Sequence, residues 1–585
     1  MRSDAKHPVS FSIVAFGTRI GLACGAALAG VVAVAALVQP AETVDVQILA
    51  INDFHGALEA ASGGTGQIGG VEAGGMEYLA AHLARLEAAN PNTVFVSAGD
   101  NIGATPLLSS LFHDEITVEA LDLAGLQVSA LGNHDLDEGW WELYRMQRGG
   151  CHPLDGCQDG TPYGGAAFTY LAANVTLDPR RADPASLARA GIQGSDPRPL
   201  LPSSVVREID GVRVGFIGVI LQDAPGVTLA SSIRGLTFLP EAEAANAAAR
   251  ALGDEGVRAI VLLMHQGGDR SGADVNGCDG ISRDLVDLVT SLSREIDAVV
   301  SGHSHQAYNC TIDGKLVTSA AANGRLVTDI DLRIRRSDGE VVDRSARNLV
   351  VTRDVERDRR QTALLEHYRP FARAVSGRIV GSIAASLTRE PNAAGESVLG
   401  DVVADALLDA AMRAPGARPD LAIWNPGGIR ADLTAGSGRG PAPVSYEAVF
   451  SVLPFGNELV VKSISGEALL QTLEQQFGAP GAGRVRIMQV SEGFTYAYDL
   501  SRPIGQRVDR ASVRLRGDPI VPTRQYRLAT SNYLWDGGDG LRALGAATDA
   551  MLVGTDHDIF ADYFSRQSSP VPPGPQNRIR RLDTR

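Results

Sequence analysis

Gly132-Asn133-His134-Asp135-Leu136-Asp137 is the stretch on which the reading of this chain turns. It sets an amide oxygen, an imidazole and two carboxylates close together, directly after Val128-Ser129-Ala130-Leu131, an apolar run with the character of a buried strand. Such a segment delivers polar groups to the lip of a sheet. On its own it is also the composition of an ordinary turn, because Asn and Asp bond their own backbone and tolerate turn conformations.

Its company lifts it above that. Asp53-Phe54-His55 follows the run Val46 to Ile51, and Gly99-Asp100-Asn101 follows Val94 to Val96. His265 ends Ala259 to Met264, and Gly302-His303-Ser304-His305 follows Ile296 to Val300. Five apolar runs therefore stop at metal-binding residue types, and strand ends that meet at one edge of an α/β sheet form the usual ligand crevice. A single Asp or His in such a place is ordinarily a cap or a turn former. Of the 11 His in the chain, however, five fall in these segments, which independent accidents explain poorly.

Asp53, His55, Asp100, Asn133, His265, His303 and His305 offer nitrogen and oxygen but no thiolate. That donor set suits two divalent ions of the zinc, manganese, iron or cobalt kind and disfavours copper(I) or an iron-sulfur cluster. Two such ions about 3.5 to 4 Å apart clamp a phosphoryl group, polarise it and lower the pKa of a water so that hydroxide attacks in line.

The chain begins with an address. Ile20 to Val38 carry no charge and follow Arg2, Lys6 and Arg19, the pattern of a signal peptide with a long n-region or of an uncleaved anchor over 1–43. No second long apolar stretch follows, so the remainder is expected to be soluble and exported: periplasmic, at the cell surface or secreted. Apart from Cys24 there are four Cys, an even number suited to an oxidising compartment. Cys151 with Cys157 closes a short Gly/Pro-rich loop, and Cys278 with Cys310 lies around one His segment, so these are the expected pairs. The net charge of −15 excludes a field that gathers nucleic-acid polymers, and any membrane contact is confined to the N-terminal segment if it is retained.

Roughly 540 residues after Ala41 are too many for one core. Residues 44–351 alternate strands and helices, with a Gly-rich loop from Gly63 to Gly75, a helix from Met76 to about Ala89, a strand Val214 to Ile220 and helical patterns at Glu241 to Gly253 and Ile281 to Leu292. Gly139 to Ala167, with Trp140 and Trp141, reads as a surface lobe. The charged, amphipathic stretch 352–376 predicts a connecting helix. A second domain over 377–585 opens with a helix from Val398 to Met412 and closes in a Pro-rich tail.

The ordered set Asp53-Phe54-His55, Gly99-Asp100, Gly132-Asn133-His134-Asp135, His265 and Gly302-His303-Ser304-His305 resembles the dimetal signature of the calcineurin-like metallophosphoesterases, and specifically of the exported 5′-nucleotidases. The resemblance implies an α/β fold: an N-terminal sandwich of two sheets flanked by helices, joined by a linker helix to an α+β C-terminal domain. It implies one ion on Asp53, His55, Asp100 and His305, and another on Asp100, Asn133, His265 and His303. His134 would face the phosphate without binding metal, oriented by Asp137.

In the second domain, Asn425-Pro426-Gly427-Gly428-Ile429-Arg430 follows the strand Leu421 to Trp424. Leu453 to Asn457 and Asn532 to Gly540 each place an aromatic residue beside glycines and a hydrogen-bonding group. By composition Phe455 and Tyr533 are better core residues than a base clamp. The resemblance reverses this, since the three stretches are similar to the family's nucleoside-binding loops: Phe455 and Tyr533 would stack on the base, Asn425 and Arg430 would lie towards the phosphate, and Asn457 and Asp539 would make polar contacts. One departure stands out. Asn392 to Glu396 replace the arginines that the family often carries before the helix near Ser397, which leaves Arg430 as the phosphate contact assigned to this domain. The expected activity is removal of the 5′-phosphate of nucleoside monophosphates by metal-hydroxide attack, with rotation of the second domain delivering the nucleotide. A 2′,3′-cyclic nucleotide phosphodiesterase or a nucleotide-sugar or diphosphate hydrolase with the same metals is the alternative, and a surface nucleoside-binding module without turnover the remote one.

Overall fold

In the strand Thr43–Ile51, alternate residues serve two different cores. Val46, Ile48 and Ala50 are buried between two sheets, whereas Leu49 and Ile51 are buried against helices on the outer face. A strand covered on both faces needs an unbroken apolar run, which is why no polar alternation marks it in the sequence. The computed structural model describes residues 42–61, 66–436, 440–478 and 485–583. The leader or anchor of 1–43 lies outside them but for its last two residues, as do parts of the Gly-rich loop. Among the described residues no helix is long and apolar enough to cross a membrane.

The first sheet runs in the order Val341–Val350, Leu326–Arg335, Thr43–Ile51, Thr93–Ser97, Leu126–Ala130, Thr169–Leu171. The second runs Ala307–Ile312, Lys315–Ala320, Ala298–Ser301, Ala259–His265, Val212–Ile220, Ser204–Ile209. Val94, Val96 and Val128 of the first meet Phe216, Val261, Leu263 and Val300 of the second in one apolar layer. Thr43–Ile51, Thr93–Ser97 and Leu126–Ala130 are mutually parallel neighbours, and so are Ala259–His265 and Ala298–Ser301. Parallel register brings all five strands to an end on one side of the sandwich.

Two sequence expectations change. The stretch Gly139 to Ala167 is a surface lobe only over its middle: Trp140–Arg148 is a helix whose Trp140 and Trp141 are buried in the core. Its apolar face follows helical spacing, so the tryptophans mark a buried helix, and the exposed part is the loop closed by Cys151–Cys157. The second pair is Cys278–Cys310. The charged run before the connecting helix is not helical. Asp358 caps the helix Arg359–Ser376 by accepting from the backbone of Arg360 and Gln361, and Leu365, Tyr368 and Ala372 seat it on the first core.

The second domain is built on a five-stranded sheet ordered Gln489–Val490, Leu421–Trp424, Gln525–Ser531, Glu458–Ser465, Thr548–Thr555. Ala422 and Trp424 face the helix Val398–Arg413, and Leu421 and Ile423 face the helix Gly466–Gln475. Asp401, in the first turn of Val398–Arg413, is buried with the Arg578 Nε 3.8 Å away. Burial pushes its carboxyl up to about 8, with Arg578 opposing and Glu396 reinforcing. A carboxyl whose folded pKa is raised contributes stability that is complete below its unfolded pKa and is lost as pH rises through the folded one. Thermal melts of the wild type and of Asp401→Asn between pH 5 and pH 9 should therefore diverge, the wild type falling behind by about 2 °C or more at the alkaline end. Parallel curves would show that this group does not set the pH dependence.

Candidate functional site

Five candidate ligands stand in left-handed backbone just past a strand end: Asp53 at φ 50°, His55 at 46°, Asp100 at 54°, His303 at 69° and His305 at 56°. For residues other than Gly this costs about 1 kcal/mol or more each and persists where the surroundings enforce it. Here it folds the chain back so that side chains from both sheets point into one space.

The ligand atoms of Asp53, His55 and His305 lie within 4.8 Å of one another, and so do those of Asp100, His265 and His303. His305 Nε2 is 3.3 Å from both His55 Nε2 and Asp53 Oδ1. Asn133 Oδ1 is 3.2 Å from His265 Nε2 and 2.9 Å from His303 Nδ1. Asp100 Oδ2 stands between the two groups, 3.1 Å from His265 Nε2 and 3.7 Å from His55 Nε2.

The donor set fits cations. Asp100 Oδ2 is buried and accepts no hydrogen bond. His55 Nδ1 donates to the Gly103 carbonyl at 2.9 Å and His265 Nδ1 to the Ala98 carbonyl at 2.8 Å, so in the neutral rings both Nε2 lone pairs face that carboxylate. Outer hydrogen bonds of this kind fix the tautomer of ligating imidazoles. Protons answer the same field: burial pulls His55 down to about 3, whereas against burial Asp100 pushes His265 up to about 9. Against its own burial, Asp53 is held at about 2 by His305.

Three supporting residues, two of them inside the quoted motif, were given no role by the sequence. Asp135 accepts backbone hydrogen bonds from Gly132 at 2.7 Å, Asp100 and Asn101 at 3.1 Å and Ile102 at 3.2 Å, pinning the turn that carries Asp100. Its burial, reinforced by Asp100, raises it to about 7. The signal was present as a carboxylate in the middle of the motif, without anything local to say where it points. Asn52 donates to Asp53 Oδ2 at 2.6 Å. Gly132 leaves room for Asp100, since a Cβ there would stand 2.1 Å from Asp100 Oδ1.

His134 Nδ1 is 3.0 Å and 3.2 Å from the two Asp137 oxygens, and its backbone N–H donates to Asp100 Oδ1 at 2.8 Å. Against burial, Asp137 and Asp100 raise the imidazole above its usual pKa. Phe455 of the second domain stacks on this ring with centroids 5.3 Å apart, and the Arg430 guanidinium lies 5.6 Å over Phe455.

One cavity of about 300 Å³ is lined by Asp100, Asn133, His134, His303 and His305 together with Asn425, Arg430, Phe455, Asn457, Tyr533 and Asp539. All six second-domain residues singled out in the sequence therefore reach the cluster. Asn425 differs in detail: its amide donates to Asp539 Oδ2 at 2.8 Å, which couples it to Asp539. The Tyr533 hydroxyl is 3.1 Å from the Gly226 carbonyl of the first domain and from Asp539 Oδ1. Arg486, which no motif announced, pairs with Asp539 and lines the same cavity. Nor does Arg430 stand alone. Arg389 donates to its carbonyl at 2.5 Å, and both line a neighbouring cavity that reaches His55 and His305.

Strand-edge imidazoles and carboxylates built for cations, beside an imidazole-carboxylate dyad, define a metal-dependent phosphoric ester hydrolase of α/β, two-domain architecture. The calcineurin-like phosphoesterase family matches residues 46–307, and the 5′-nucleotidase C-terminal domain matches 376–546. The chain is 30% identical over 556 residues to the cell wall protein Lmo0130 of Listeria monocytogenes, covering 90% of this chain and 68% of that protein. It is 31% identical over 500 residues to the endonuclease YhcR of Bacillus subtilis, covering 85% of this chain but spanning only 37% of that relative's length. The crystal structure of a 5′-nucleotidase precursor from Thermus thermophilus matches with a TM-score of 0.75 at 25% identity, over 93% of this chain and 100% of that one. The chain belongs to the 5′-nucleotidase family.

Proposed function

We propose that this protein is exported and removes the 5′-phosphate from nucleoside monophosphates. The observation that carries this reading is the shared cavity, whose wall joins Asp100, Asn133, His303, His305 and the His134–Asp137 pair to Phe455, Tyr533, Asn457 and Asp539. Asp53, His55, Asp100 and His305 would hold one divalent ion, and Asp100, Asn133, His265 and His303 the second, with Asp100 common to both. The donor chemistry suits zinc, manganese, iron or cobalt. When bound, such a pair supplies positive charge to the phosphoryl group and acidifies water.

The protein's own groups do the rest. Arg430 draws in the phosphate, and aromatic faces hold the base, each stacking contact contributing about 1 to 3 kcal/mol. Asn457 and Asp539 bond the ribose. His134 delivers a proton towards the leaving oxygen while Asp137 holds its Nδ1–H. The working units of this reading are 44–351, the connecting segment 352–376 and 377–585. Export rests on the apolar leader, the two disulfides and the cell wall relative.

Product analysis of metal-reconstituted protein tests the assignment, with nucleoside and phosphate expected from adenosine monophosphate, a nucleoside monophosphate from a 2′,3′-cyclic nucleotide, and a nucleoside monophosphate with a sugar phosphate from a nucleotide sugar. The monophosphate should give the highest kcat/KM, and preference for either of the others would replace the reading. Tyr533→Leu should raise KM for the monophosphate about tenfold, in line with one lost stacking contact, while leaving hydrolysis of a phosphate ester without a base within about twofold.

A further inference from the structure

Beside the disulfide loop, and apart from the strand-edge cluster, a second set of metal-binding side chains converges. The ligand atoms of Glu138, Glu142 and His152 lie within 4.8 Å of one another. Glu142 and His152 are buried, with side chains 5% and 4% exposed. Arg145 engages Glu142 Oε1, but the Glu142 Oε2 is buried and has no hydrogen-bond partner. A buried carboxylate oxygen without a donor is costly, and here it belongs to a residue that faces another carboxylate and an imidazole.

The surroundings are those of an outer shell. His113 bonds Glu138 Oε2 at 2.7 Å and Asp155 Oδ2 at 3.0 Å, and its ring stacks on that of His152 with centroids 3.7 Å apart. Arg145 is shared between Glu142 and Glu115, while His113 serves Glu138 and Asp155, so Glu142 Oε2 is the buried carboxylate oxygen in this corner that is left without a donor. A cavity of about 150 Å³ borders Glu138 and Glu142 and has His134 and Asp137 on its wall. It leaves room for water to complete a coordination shell.

We propose that Glu138, Glu142 and His152 form a third metal site, separate from the catalytic cluster, that takes one first-row divalent cation such as manganese or zinc. Two carboxylates and one imidazole give the mixed oxygen and nitrogen donor set such ions accept. His113 and Arg145 orient the carboxylates, as outer hydrogen bonds do for ligands in general. Because Glu138 follows Asp137 directly and His152 sits inside the Cys151–Cys157 loop, the ion ties the turn bearing the dyad to that loop.

The test is a difference in metal content. Full-length protein is stripped with chelator, loaded with manganese alone, desalted and assayed by elemental analysis beside Glu138→Gln/His152→Ala. Wild type should hold one equivalent more than the double variant, and the equivalents the variant keeps report an intact catalytic cluster. Equal contents overturn the proposal, whatever number the catalytic cluster binds. If the double variant fails to fold, Glu138→Gln alone, at a side chain 41% exposed, should weaken the extra equivalent at least tenfold in a manganese titration; an unchanged titration overturns it. Hydrogen exchange in the loop 151–157 should slow on loading in wild type and stay unchanged in Glu138→Gln at the same manganese concentration.

Discussion

Asp100→Ala is expected to lower kcat/KM by at least about 10³-fold and to strip metal from the cluster. Its Oδ2 is the oxygen that stands between the two imidazole groups, and it has no hydrogen bond to give up. Removing it withdraws the charge that would hold both cations. Because dimetal sites supply several kcal/mol of transition-state stabilisation, at about 1.4 kcal/mol per factor of ten, the loss should be the largest of any single change here. Metal analysis and steady-state rates on the same preparation check it. A variant that stays within tenfold of wild type with full metal would end the bridging assignment.

His134→Asn is expected to lower kcat by about 10²- to 10⁴-fold while metal content and KM change little. The separation follows from geometry. The backbone N–H of residue 134, which holds Asp100 Oδ1, survives the substitution, whereas the ring that pairs with Asp137 is lost. Asp137 and Asp100 raise the pKa of His134 against its burial, so the protonated, proton-donating form persists to higher pH than for a free imidazole. The wild-type rate should then fall on the alkaline side as this group deprotonates, and the variant should lack that limb. Asp137→Asn keeps the ring but weakens its orientation, and a loss of about tenfold or more is expected. Unchanged rates in His134→Asn would remove the dyad from the reaction.

The strand ends were legible because burial on two faces demands apolar runs, and these stop abruptly at Asp53, Asp100, Asn133, His265 and His303. The helices Met76–Ala89 and Val398–Arg413 were legible for the complementary reason, helical periodicity. Trp140 and Trp141 misled, because an aromatic pair beside Gly and Cys has the same composition whether its helix faces solvent or core. The task of Asp135 stayed illegible although its motif was read, and Arg486 and the Glu138–Glu142–His152 corner stayed silent, since each depends on a partner far along the chain or on the direction of a turn.

From its own order of residues, the chain determined the apolar runs that build two layered cores, the nitrogen and oxygen donors placed at their ends, and the four cysteines that follow Cys24. The runs and the donors at their ends are local: each is written within a short segment and acts through burial or bonding chemistry wherever that segment lands. Which donors meet was decided only by tertiary packing. Asn133 and His265 are 132 positions apart and stand at the ends of strands from different sheets, yet their polar atoms are 3.2 Å apart. That separation exists because the two sheets close on Phe216, Val261 and Leu263 and bring both parallel edges to one side, a consequence of the whole hydrophobic layer that no single segment contains.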